Sequence, residues 1–251
     1  MAGLTSLRDG LVILIDEADK ASKDLGLGTF LKNLNEILVQ ERCNYVLFIL
    51  SGLPNIRNVL LQSHESSLRL FQEYYLKPLS KEETAQVVKN GLLEVKDRSG
   101  VEISITDEAV NTIYSYSEGY PHFVQQIGYS VLEVNTDKNI DKADVDNGFF
   151  MKKGALELIG NRYYDKLFYK DINVESQREI LTIMTDHWNG WVTRSEIKTN
   201  FSGKSTTLNG GIRALIDKGI IIPKEGVKGQ YRLQWGSFAW WIKNHKRRER
   251  Q

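Results

Sequence analysis

Val12-Ile13-Leu14-Ile15-Asp16-Glu17 places two carboxylates directly after an apolar run. Bounded by Asp9-Gly10 and Asp16, the run Leu11 to Ile15 is largely β-branched and reads as a buried parallel strand. Carboxylates at the C-terminal end of such a strand stand where open α/β sheets bind their ligands. The chemistry open to them is cation and water work: one acid for the shell of a divalent metal, the next for a polarised water. The alternative is an ordinary strand-to-turn junction with two surface acids. Asp19 and Lys20, just beyond, read as solvated or structural.

The elements that must position these acids follow from the local pattern. Thr29 to Gln40 carries Phe30, Leu31, Leu34, Ile37 and Leu38 at helical spacing. Tyr45 to Leu50 is a second buried strand, closed by Ser51-Gly52, and Pro54 starts a short helix. Tyr74 to Leu79 is a third strand candidate that ends at the turn around Pro78. Strands alternating with helices predict an α/β sheet. Ser80 with Glu83 is a capping-box signal for a helix to about Val95. Thr106 opens another, ending near Gly119, and Pro121 opens a third, to about Val134. Further helix is expected from Asp141 to Tyr169, so the middle of the chain reads as a helical bundle.

From Val174 the pattern changes. Ser176 to His187 reads as a helix, and Thr193 with Glu196 caps a short one to Phe201. Ser205 to Lys218 is a third helix, with Leu208, Ile212, Leu215 and Ile216 on one face. Ile220 to Ile222 and Tyr231 to Trp235 extend on either side of the Glu225-Gly226 and Lys228-Gly229 turns. Three helices and a two-stranded ribbon make the layout of a winged helix-turn-helix.

The order of these motifs resembles AAA+ P-loop ATPases of the origin-recognition and signal-transduction type, over about Gly10 to Asn135. The resemblance implies that Asp16 serves a Mg²⁺ shell and Glu17 the attacking water. Tyr45 to Ser51 is similar to the sensor strand, which would make Ser51 a phosphate contact, although the family favours Asn or Thr there; the other reading is a turn serine. Ser66-Ser67-Leu68-Arg69-Leu70-Phe71 resembles the arginine-finger region, so that Arg69 would face a neighbouring subunit's nucleotide; the other reading is a surface arginine. Gly119-Tyr120-Pro121-His122-Phe123-Val124-Gln125-Gln126 resembles the lid motif, where many relatives carry a sensor arginine. Pro121-His122 stands there instead, and His122 is either a nucleotide contact or a structural helix-start histidine.

A phosphate-binding loop needs G-x-x-x-x-G-K-[ST] between a strand and a helix, because backbone N–H groups cradle the phosphates. No segment before Asp16 matches. Gly203-Lys204-Ser205 fails, since Lys198 holds the first glycine position, and it falls between two helices. The expectation is therefore a partial AAA+ parallel sheet (1–79), a helical lid (80–170) and a winged helix with a basic tail (171–251). ATP and Mg²⁺ would act in the complete protein, with a P-loop-bearing partner chain or a homo-oligomer completing the site.

Charge is unevenly spread. Gly190 to Gln251 holds thirteen Lys or Arg against four Asp or Glu, a net +9, which leaves −8 over the rest. That asymmetry points the C-terminal module at a polyanion, and double-stranded DNA is the expected partner. Ser205, Thr206, Thr207, Asn209 and Arg213 would lie on the outer face of the recognition helix. Lys224, Lys228 and Arg232 would lie on the wing, and Lys246, Arg247, Arg248 and Arg250 in the tail. A winged helix used for protein contacts is the alternative. Trp235, Trp240 and Trp241 read as core or docking aromatics. A single cysteine, Cys43, allows no intrachain disulfide, and no apolar run is long enough to span a membrane, so a cytoplasmic setting is expected.

Overall fold

The computed structural model describes residues 10–21, 23–52, 56–188 and 190–249, with the backbone alone for Lys23 and 246–249. The helix start expected at Pro54, the side chains of Lys246, Arg247 and Arg248, and Arg250 lie outside the described residues. The chain divides into two compact units, Met1–Leu76 and Lys77–Gln251.

In the first unit, β1 (Leu11–Ile15) and β2 (Val46–Leu50) pair in parallel, Leu11 opposite Val46 and Ile15 opposite Leu50. Parallel strands need a crossover, and α1 (Leu27–Gln40) supplies it. Next come α2 (Ile56–Ser63) and a 3-10 turn, Ser67–Leu70. Gly28 lets α1 press onto α2: its N–H donates to Ser63 Oγ at 2.8 Å, and Thr29 Oγ1 donates to the Ser63 carbonyl at 2.8 Å. The small core is Ala18, Leu27, Leu31 and Leu60, with Ile15, Phe48 and Leu50 of the sheet packed on it.

Two expectations are corrected here. The strands are parallel but largely half-buried on one face and exposed on the other. Val12, Leu14, Leu47 and Ile49 share the other face through the register and are all exposed, Leu14 at 72%. Helices cover one side of the two-stranded sheet and, among the described residues, nothing covers the other, so the continuous apolar run did not by itself imply two-sided burial. Tyr74 to Leu79 forms no strand: residues 71–80 carry no regular hydrogen-bonded structure, and Leu76 is 99% exposed. Without a neighbouring strand its backbone has no ladder to join.

The second unit begins with α3 (Lys81–Ser99), α4 (Asp107–Ser117) and α5 (Pro121–Val134). The expected capping chemistry is present: Ser80 and Glu83 cap α3 reciprocally, and Thr106 Oγ1 accepts the Ala109 amide. The α3 helix runs to Ser99, past the expected Val95, and stops at Gly100 with φ 71°. A two-residue parallel pair, β3 (Ser104–Ile105) with β4 (Asn139–Ile140), precedes α6 (Lys142–Phe150) and α7 (Ala155–Ile159). Two π-helical turns, Gly160–Tyr164 and Leu167–Asp171, lead to α8 (Glu175–Met184).

After β5 (Val192–Thr193) come α9 (Arg194–Asn200), α10 (Ser205–Asp217), β6 (Ile221–Pro223), β7 (Gln230–Leu233) and α11 (Gly236–Glu249). The antiparallel sheet has the order β5-β7-β6, three strands where the sequence pattern showed two. The α11 helix was not legible beforehand: it carries buried Phe238, Ala239, Trp241 and Ile242 and then continues into the basic tail. One apolar core runs from Ala109 to Ile242 and takes in the middle helices and the C-terminal sheet alike.

Candidate functional site

Three of the proposed residues meet at the strand ends of the first unit. Ser51 Oγ donates to Asp16 Oδ1 at 2.6 Å, and the Glu17 amide donates to the same oxygen at 2.8 Å. The Ser51 hydroxyl first, then the Glu17 N–H, hold the Asp16 carboxyl below the usual carboxylate range, so it is ionised and exposed. The backbones are tied as well: Ser51 N–H donates to the Ile15 carbonyl and Ala18 N–H to the Ser51 carbonyl, each at 2.9 Å. Glu17 sits at φ 52°, in the left-handed region that non-glycine residues seldom occupy, and its carboxylate pairs with Lys20 Nζ at 2.5 Å. Such outliers gather at functional sites.

Arg69 lies on the exposed surface of the Ser67–Leu70 turn, and its side chain makes no hydrogen bond or salt bridge among the described residues. Nearby sequence hides a contact that no motif signalled. Arg57 Nη1 reaches both Glu73 oxygens, at 2.6 and 2.5 Å, and Tyr75 Oη donates to Glu73 at 3.0 Å. This trio ties α2 to the segment leading out of the first unit.

In the second unit, Gly119 has φ 75°, and its carbonyl accepts the Leu79 amide at 2.8 Å. Any Cβ there would overlap the Leu79 carbonyl oxygen, which explains the glycine. Pro121 occupies the first turn of α5, and the helix start has no side-chain cap. Half-buried His122 has a buried Nε2 without a hydrogen-bond partner and packs edge-on against Tyr163 at 5.1 Å. Burial first, and then Arg162, depress its pKa, so the ring is neutral.

The residues expected to meet DNA divide as the helix geometry dictates. The α10 helix buries Leu208, Gly211, Ile212 and Leu215 and exposes Ser205, Thr206, Thr207, Asn209 and Arg213. Asn209 Oδ1 accepts Arg194 Nε at 2.8 Å, so its amide group alone remains to donate outward. Gly203-Lys204-Ser205 lies between α9 and α10, with Lys204 preceding the first turn of α10. Lys228 is exposed in the β6–β7 turn, whereas Lys224 and Arg232 are half-buried, each over the Trp191 ring, at 5.5 and 5.4 Å from its centroid.

Sequence reading missed Glu118. It lies between α4 and Gly119 at φ 50°, and its carboxylate accepts the N–H of Gly236 at the start of α11. Burial raises its pKa, opposed by the Gly236 N–H, Arg232 and the Ser237 N–H. Glu118 and Gly236 are 118 residues apart, so no local spacing could have exposed the pairing.

This architecture has a solved counterpart. The Walker-type ATPase PABY2304 of Pyrococcus abyssi superposes with a TM-score of 0.61 at 15% identity, over 93% of this chain and 63% of that one. The chain therefore shares its fold with the matching part of that ATPase. The chain thus spans 63% of the length of that ATPase. The RuvB Holliday junction branch migration motor of Thermotoga maritima (20% identity, 98% of this chain, 72% of that one) and Cdc6p of Pyrobaculum aerophilum (14%, 94% and 67%) overlap more loosely. Their TM-scores are 0.42 and 0.36. No family model and no curated protein matches the chain. Among the described residues no helix is long and apolar enough to cross a membrane.

Proposed function

We infer that this chain is the C-terminal part of an AAA+ ATPase that couples nucleotide state to DNA or partner binding. The observation that carries the reading is the Asp16–Ser51 pair, an ionised carboxylate and a hydroxyl joined at the C-terminal ends of two parallel strands. Asp16 is the metal-side acid, Glu17 the water-side acid, Ser51 the phosphate contact, and Arg69 acts on a neighbouring subunit's nucleotide. His122, neutral at the start of α5, would contact nucleotide.

The residues present fit Mg²⁺ in one way only. Among the described residues no group of three or more His, Cys, Asp or Glu could hold a metal. Mg²⁺ commonly uses one or two carboxylates with phosphates and water, and Asp16 suits that sparse role, through water. When bound, the metal would neutralise charge on the phosphates. Asp16 would hold the metal through water, and Glu17 would have to leave Lys20 before it could polarise an attacking water. The phosphate cradle has to come from a G-x-x-x-x-G-K-[ST] segment that this sequence lacks, on a longer form, a partner chain or a subunit of a homo-oligomer.

The domain reading that goes with this is a partial ATPase core (1–79), a lid (80–170) and a cytoplasmic winged-helix module (171–251) that binds double-stranded DNA. The exposed polar face of α10 and the net positive charge from Gly190 onward support that last assignment. One observation favours a second reading, a DNA-binding or regulatory protein with a non-catalytic ATPase remnant: the Glu17 carboxylate is already engaged by Lys20.

The deciding experiment is ATP hydrolysis by a form that carries the P-loop segment, with and without Glu17→Gln. Loss of hydrolysis in the variant supports the ATPase reading, and unchanged hydrolysis sinks it. In parallel, duplex binding should weaken steeply with salt. No duplex binding at low salt would assign the winged helix to protein contacts.

A further inference from the structure

The outward face of the C-terminal sheet combines chemistry that duplex recognition by α10 does not use. In β7, Leu233 is buried and pairs with buried Ile221, so Arg232, alternating with it, points to the other side of the sheet. There the Arg232 guanidinium lies 5.4 Å from the Trp191 ring centre, and Lys224 Nζ lies 5.5 Å from it. Trp191 remains 38% exposed. Two cations gathered on one indole repel each other, and neither makes a hydrogen bond or salt bridge among the described residues. Arg232 Nε is buried and has no hydrogen-bond partner among the described residues. Glu118 is within electrostatic reach of Arg232 but accepts no hydrogen bond from it among the described residues, so the pair keeps donors for an anion.

Arg232 also lines a half-open cleft of about 580 Å³ between α3, α4 and the sheet. Lys81 adds a third cation that has no hydrogen bond or salt bridge among the described residues, and Tyr114, Tyr120 and Trp188 supply aromatic walls. Trp188 packs on Trp240, with ring centres 4.1 Å apart. Glu118 is the acid of the cleft, and its charge is met by Arg232 and the Gly236 N–H. Because Arg232 belongs to both groups, the cleft and the Trp191 platform form one continuous surface of alternating cations and aromatic rings.

We propose that this surface binds single-stranded nucleic acid, with a base stacked on Trp191 and the phosphates taken by Lys224, Arg232 and Lys81. Aromatic platforms interleaved with cations recognise single strands irrespective of sequence, since every base offers a π-face and every link a phosphate. A duplex keeps its bases stacked on each other and offers only phosphates. A lone nucleotide would fill either the cleft or the platform, whereas a strand of several bases covers both. The site shares Lys224 and Arg232 with the wing expected at a duplex but uses neither Lys228 nor the exposed face of α10, so Trp191 and Lys81 are what separate the two readings.

The test is binding of a labelled oligodeoxythymidylate to the full chain at low salt, followed by anisotropy, beside a duplex and free thymidine monophosphate. The strand should bind more tightly than the mononucleotide. Trp191→Ala should weaken strand binding about tenfold, the order of one lost base–aromatic stack, Trp191→Phe should restore most of it, and duplex binding should change less than strand binding. A second variant, Arg232→Gln, should lower the salt dependence of strand binding. Thermal melts confirm that each variant is folded. The proposal is overturned if the strand does not bind, if the mononucleotide binds as well as the strand, or if folded Trp191→Ala binds like the parent. Strand binding without duplex binding would sink the duplex reading and leave this one standing.

Discussion

Ser51 Oγ and Asp16 Oδ1 lie 2.6 Å apart, a hydroxyl donating to a carboxylate across 35 residues of sequence and across the junction of two parallel strands. A hydrogen bond to the charged form of an acid favours that form, and here it is the largest cause of the depressed Asp16 pKa. Ser51→Ala removes the donor and leaves the Glu17 N–H in place. The Asp16 titration should therefore move up towards the ordinary aspartate value without passing it, as followed by carboxyl-carbon NMR. An unmoved titration would mean that the serine only fills the turn.

That pair also marks what was legible in the sequence. Apolar runs closed by Asp16-Glu17 and Ser51-Gly52 are local patterns, and each reported its own strand. The capping boxes at Ser80 and Thr193 were legible for the same reason: the partners lie three residues apart. What failed depended on neighbours. An apolar run does not say whether helices cover one face or two, and this is why Leu14 and Ile49 were expected to be buried. Tyr74 to Leu79 has strand composition but no partner strand. The α11 helix lies in a segment whose Phe238, Trp241 and Ile242 find their places only against distant elements. Glu118 carries no motif, and the cleft it lines with Arg232 is assembled from segments far apart in the chain.

The uncovered sheet face makes a prediction of its own. Val12, Leu14, Leu47 and Ile49 form a contiguous apolar patch on a two-stranded sheet, and such patches drive association. Sedimentation velocity over a concentration series should show self-association of the chain. The double substitution Leu14→Lys and Ile49→Lys should abolish it by like-charge repulsion and restored hydration. Both side chains are exposed, so stability should change by only about 0.5 kcal/mol. A chain that stays monomeric throughout the series would show that the patch attracts no second copy.

Close packing of Trp241 against Gly160 predicts a stability cost. A Cβ at Gly160 would overlap the indole ring of Trp241, which is itself fully packed among Tyr164, Phe168 and Phe238. The backbone there is a π-helical turn, Gly160–Tyr164, hemmed in by α11. Gly160→Ala gains helix propensity but forces the ring or the turn to move, and overpacking of this kind costs roughly 1–3 kcal/mol. Chemical denaturation should show a lower midpoint. An increased midpoint would mean that the turn relaxes into a regular helix and frees the ring.

Glu118 predicts how stability depends on pH. Burial, the largest cause, raises its pKa above that of an unfolded glutamate, against the pull of the Gly236 N–H and Arg232. Below the ordinary glutamate value both folded and unfolded chains hold the proton, and its contribution is fully present. As pH rises through the window above that value, the unfolded chain releases the proton first, binds fewer protons, and is favoured. This group therefore makes the folded state lose stability with rising pH, opposite in sign to a carboxylate held ionised, such as Asp16. Glu118→Gln keeps an oxygen for the Gly236 N–H and removes the titration. Denaturation midpoints measured from about pH 4 to 7 should fall less with rising pH in the variant than in the parent. Identical slopes would show that Glu118 keeps its charge in the fold, with Arg232 and the α11 amide outweighing burial.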